Sequence, residues 1–147
     1  MEVARGAVAG VAGAMAMSVV RSLTTRVGLV ERTPPEAIGS EAVPGLLRSV
    51  PPRARPAALE LAHWAYGGLG GIAFTAIPGR VRRLPGAGPV YGLASWLLYD
   101  GVVAPALGLS HARRPRPAER AALLADHLLY GTIVGRVTGA GAASPSP

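Results

Sequence analysis

The chain has 147 residues, a length that suits one domain. Half of it is apolar and 16% is charged, well below the roughly 25% of soluble domains, which argues against an ordinary soluble fold. All 15 basic residues are Arg, and the net charge is +7. In a soluble protein that charge would point to nucleic acid. Here the Arg fall between apolar runs, where anionic headgroups are the better partner, so the bilayer is expected and nucleic acid is not. The absence of cysteine excludes disulfides, thiolate metal sites and thiol catalysis.

Four apolar stretches follow one another, at about residues 4–27, 57–77, 86–109 and 121–140. Each is near the ~20 residues that a helix needs to cross the hydrocarbon core. A soluble Ala/Gly-rich bundle is the competing reading. Against it, the stretches lack the charged outer face of a soluble amphipathic helix. The expectation is an all-α membrane protein of four transmembrane helices. The first stretch imitates a signal peptide, with Arg5, an apolar run and Ala14-Met15-Ala16. The same pattern returns internally as the third stretch, so it is read as a retained helix.

Between the first two helices lies a Pro-rich loop, residues 28–56, in which 36–50 reads as a short interfacial helix. The turn before the third helix holds Arg80, Arg82 and Arg83. The loop at 110–120 is Arg-rich and contains His111, read as solvated. The tail at 141–147 is expected to be disordered. Arg21, Arg26, Arg32, Arg48, Arg53, Arg55, Arg113, Arg114, Arg116 and Arg120 are assigned to the side of loops 28–56 and 110–120. Arg5, Arg80, Arg82, Arg83 and Arg136 are assigned to the other. That excess puts the two loops in the cytoplasm of a bacterial cell, with an inner-membrane location.

The chain repeats itself. His63-Trp64-Ala65-Tyr66-Gly67 with Gly71 returns 64 residues later as His127-Leu128-Leu129-Tyr130-Gly131 with Gly135. Gly6 and Gly10 match Gly88 and Gly92, and Gly28-Leu29 matches Gly108-Leu109. The expected architecture is therefore two tandem-duplicated hairpins, residues 4–77 and 86–140, within a single domain at 1–140. They should be related by a pseudo-twofold axis along the membrane normal. Small-xxx-small pairs occur in every helix, namely Gly6/Gly10, Gly67/Gly71, Gly88/Gly92 and Gly131/Gly135. Lipid is as apolar as Leu, so such helices associate by close backbone contact at these glycines.

Ionisable groups at membrane depth are costly and mark function or buried pairing. They are Glu60 and His63 on the second helix, Asp100 on the third, and Asp126 and His127 on the fourth, with Tyr66, Tyr99 and Tyr130 nearby. Asp100 aligns with Ser18 of the first helix. Three readings compete. In the first the groups tie helices together, at about 1 kcal/mol each. In the second they form a transport or proton-relay site, which four short helices would build as a homo-oligomer. In the third, His63 and His127 at one depth ligate haem b, or with Asp100 hold a divalent metal. Leu124 at the place matching Glu60 disfavours a symmetric di-metal site. Trp64 and Tyr91 read as interfacial anchors, and Trp96 as packing. No nucleophile constellation, phosphate loop or HExxH motif is present, so a non-enzymatic membrane component is expected.

With the hairpins, Pro34-Pro35-Glu36, the H-x-x-Y-G motif and the run from Tyr91-Gly92 to Tyr99-Asp100 in view, the chain resembles small bacterial integral membrane proteins of the YagU-like kind. That resemblance covers most of the chain and implies an inner-membrane protein. It carries over no catalytic residue.

Overall fold

The apolar runs become helices with nearly the expected limits. A computed structural model describes residues 1–30, 33–110 and 116–140, and every regular element among them is helical. The long helices are α1 (Glu2–Arg26), α2 (Arg55–Thr75), α3 (Ala87–Leu98) and α4 (Pro117–Ala140). Helix α3 continues through a π turn, Tyr99–Val103, into the short piece Ala104–Ala106. Pro105 explains the wide turn, because it cannot donate to the carbonyl four residues back and its ring would strike it. Arg32, His111, Arg113, Arg114 and the tail at 141–147 lie outside the described residues.

The expected interfacial helix at 36–50 is broken into three pieces. Thr33 and Glu36 form a reciprocal capping box that starts Pro34–Ala37. A π turn, Ile38–Ala42, follows, and Pro44 opens a new piece, Pro44–Ser49. As at Pro105, the wide turn comes just before a proline. This strap lies at one end of the bundle. Ile38 and Ala42 pack there against buried Tyr99, Ala104 and Leu109. Glu41 fastens it by accepting from the Ser110 amide at 2.7 Å and from its hydroxyl at 2.9 Å.

Packing runs in the spatial order α2, α1, α4, α3. Helices α1 and α2 form one antiparallel pair, α3 and α4 the other, and α1 joins the pairs by lying along α4. The counterpart contact, α2 against α3, is slight. It consists of Tyr91 donating to the Gly70 carbonyl at 2.6 Å and lying edge-on to Phe74 at 5.0 Å. A twofold axis would make these two interfaces alike, so the hairpins depart from the expected symmetry. The core where all four helices meet is Met17, Phe74, Tyr130 and Val134, with Tyr91 against it.

All eight predicted glycines lie at helix crossings. The Gly6 carbonyl and Gly10 amide occupy the place that a Cβ on Gly71 would need, and the Gly88 carbonyl and Gly92 amide stand in the same relation to Gly131. By the sequence repeat the counterpart of Gly71 is Gly135, four residues further on. The second hairpin is therefore slid by one helical turn relative to the first. The reason is visible at Gly67, which packs on Ala14 and the Gly10 carbonyl, whereas the Gly92 site meets the His127 carbonyl. Backbone-to-backbone contact tolerates either register once the side chains are gone.

Of the described helices, α1 alone is long and apolar enough to cross a membrane by length and composition. Glu60, His63, Asp126, His127 and abundant Gly lower the hydropathy of α2 and α4, whereas α3 falls short by its 12-residue length.

A buried charge cluster around Arg21

The packing stripe of α1 runs through Gly6, Gly10, Ala14, Met17 and then Arg21. Helical spacing carries the last of these into the bundle, and Arg21 is 2% exposed. Its assignment to a loop is thus corrected: it is the charge at the centre of the polar cluster. Its nearest acidic groups are Glu60 on α2 and Asp126 on α4. Arg21 Nη2 donates to Ser18 Oγ at 3.1 Å, and Ser18 Oγ donates to Glu60 Oε2 at 2.6 Å. Trp64 Nε1 also donates to Ser18 Oγ, at 3.2 Å, so this ring is part of the cluster and not simply an interfacial anchor.

Asp126 is 2% exposed, and its Oδ1 has no hydrogen-bond partner among the described residues. Arg21 Nε and His63 Nε2 are buried without partners as well. Groups of this kind are few in folded proteins. Both imidazoles lie within electrostatic reach of Arg21. His63 rests against the Ala14 carbonyl. His127 places Nδ1 2.7 Å from the Leu123 carbonyl and stacks on Tyr99, with ring centroids 6.2 Å apart.

Other predicted members go elsewhere. Asp100 accepts from Arg120 Nη2 at 2.6 Å, with the Arg side chain 45% exposed. The same guanidinium lies over the Trp96 ring. Tyr66 faces outward and is 64% exposed. Tyr130 donates to the Gly67 carbonyl at 2.6 Å and so ties α4 to α2 in the core. Among the described residues no group of three or more His, Asp or Glu side chains is placed to hold a metal, and His63, His127 and Asp100 do not form one.

Sequence reasoning missed Arg21, and with it the role of Ser18. The signal was the stripe: Gly6, Gly10, Ala14 and Met17 share a face, and Arg21 is its next position.

The chain matches no known protein family, no curated protein and no solved structure. Its own geometry is the basis for a functional reading.

Proposed function

We propose that this chain is a four-span inner-membrane protein, non-enzymatic and transporter-like, whose Arg21–Glu60–Asp126 cluster passes protons between the two helix pairs. The observation that carries the reading is Arg21, a cation almost wholly buried between acidic groups of two other helices. Intramembrane charges of this sort face the bundle interior, pair with one another and mark ion or proton routes. Asp126, His63 and His127 supply exchangeable protons beside it.

Membrane insertion is supported by the outer surface of α1, α2 and α3. Val8, Val19, Leu61, Leu69, Val90 and Leu97 are each more than half exposed. They give α1, α2 and α3 each an outward face of large apolar groups, which a soluble monomer rarely shows. Four helices enclose little space, so the working unit is a homo-oligomer, with loops 28–56 and 110–120 on the cytoplasmic face.

The test is proton uptake into vesicles carrying the purified protein, driven by an imposed potassium diffusion potential. Uptake above that of empty vesicles, lost in Asp126→Asn, is expected. Wild-type vesicles no leakier than empty ones would contradict the reading.

One observation favours a second reading. His63 keeps its buried Nε2 free, while its ring rests against a backbone carbonyl, as a haem-ligating histidine does. Ligation of haem b by His63 and His127 would give a Soret band in protein from haem-replete cells, lost in either His→Ala variant.

A further inference from the structure

The slid register leaves a hollow in the second hairpin that the first does not have. In the first hairpin the methyl of Thr75 fills the space facing Gly6. With the second pair shifted by one turn, the residue in that place is Gly135, which meets only the Gly88 backbone. One turn further, a Cβ on Gly139 would meet nothing within 4 Å. The missing side chains open a hollow of about 450 Å³ between the start of α3 and the end of α4. That volume is within the roughly 300–1,000 Å³ of small-molecule sites.

Three arginines line it, Arg82, Arg83 and Arg136. Arg82 is fixed in place. It donates from Nε to the Ile77 carbonyl at 2.9 Å and from Nη2 to Glu2 at 3.1 Å, which neutralises it. Among the described residues Arg83 and Arg136 hold no carboxylate, so two of the three lining arginines carry uncompensated charge. The first turn of α3 adds little to this charge: the Ala87 amide donates to the Leu84 carbonyl at 3.1 Å, Pro89 has no N–H, and the Val90 amide donates to the Gly86 carbonyl at 2.9 Å. Leu84 adds an apolar wall.

We infer that the hollow framed by Arg82, Arg83, Arg136 and Gly139 binds the phosphate of an anionic phospholipid headgroup. Guanidinium forks match phosphate oxygens. The source is lipid and not free phosphate because the surrounding surface is apolar. Val81, Leu84 and Val90 are all exposed at the rim and would meet the glycerol and upper acyl chains. The inference rests on the membrane-spanning reading, which puts this end at headgroup level.

The test counts lipids retained by the detergent-purified chain in native mass spectrometry, with phosphatidylglycerol, phosphatidylcholine or inorganic phosphate added. One phosphatidylglycerol per chain is expected, held in preference to phosphatidylcholine. Replacing both free charges, Arg83→Gln with Arg136→Gln, should weaken retention about thirtyfold. Gly139→Leu should block it without removing a charge, because space is open there. Arg48→Gln with Arg53→Gln, in the opposite loop, should change nothing. Equal retention of both lipids, an unaffected Arg83/Arg136 variant, or full displacement by millimolar phosphate would overturn the inference. Alkaline carbonate extraction of membranes containing the same protein separates the two failures. An extractable chain fails the spanning reading, whereas a resistant chain without lipid preference fails this one alone.

Discussion

Asp100 and Arg120 join α3 to α4 by a 2.6 Å hydrogen bond at the place where Ser18 and Glu60 join α1 to α2. Ser18 and Asp100 are 82 residues apart, as are Gly6 and Gly88. Glu60 and Arg120 are 60 apart, as are Gly71 and Gly131. Glycine contacts and polar contacts thus report one register, and it is not the register of the H-x-x-Y-G repeat. In the first hairpin this position opens onto a buried cation; in the second it carries an exposed ion pair.

Cross-linking checks that register directly, since the chain has no native cysteine. Cysteine pairs at Ser18/Glu60 and at Asp100/Arg120 should both be joined by a short thiol-reactive linker. The pair Asp100/Leu124, which the 64-residue repeat would bring together, should not. Cross-linking only of the last pair in the second hairpin would contradict the slide.

Glycine substitutions should divide by location. Gly10→Ala, Gly71→Ala and Gly131→Ala each place a methyl against the backbone of a neighbouring helix, and should cost about 1–3 kcal/mol as overpacking. Gly45→Ala and Gly101→Ala meet nothing within 4 Å and should leave packing undisturbed. Thermal unfolding in detergent reads the difference.

Removing Arg21 alone leaves Glu60 and Asp126 without their shared cation. Arg21→Ala should therefore be destabilising. Arg21→Met combined with Glu60→Gln and Asp126→Asn should recover most of that loss, because the charges leave together. A triple variant as unstable as Arg21→Ala would show that the methylene packing of Arg21, and not its charge, holds the site.

His127→Ala removes the ring stacked on Tyr99 and should lower stability by about 1 kcal/mol. Tyr66→Ala should not, because that ring faces outward. Unfolding curves of the two variants side by side give the answer, and equal losses would refute the distinction.

Much of the fold was legible in the chain. Helix limits followed from apolar runs about as long as a bilayer is thick, and the close crossings from glycine spacing. The strap was less so: Pro44 breaks what hydrophobic spacing reads as one helix. The polar cluster was half legible. Glu60, His63, Asp126 and His127 were found because polar residues stand out in apolar runs. Arg21 was not, since an Arg near a helix end reads as a loop charge until packing against α4 is known. The repeat misled at Tyr66 and Tyr130, where equal motifs face opposite ways. Glycine-lined surfaces carry no side chains to fix their register, so a one-turn slide leaves no mark in the sequence.

The most direct test of the account is single-cysteine accessibility in intact membrane vesicles. Cysteines at Val19, Leu69, Leu97 and Ile133, one in each long helix, should resist a membrane-impermeant maleimide. Those at Leu46 in the strap and Leu84 in the turn before α3 should react from opposite sides of the membrane. Reaction at all six positions from one side would contradict a four-span bundle, and with it the placement of Arg21 at membrane depth.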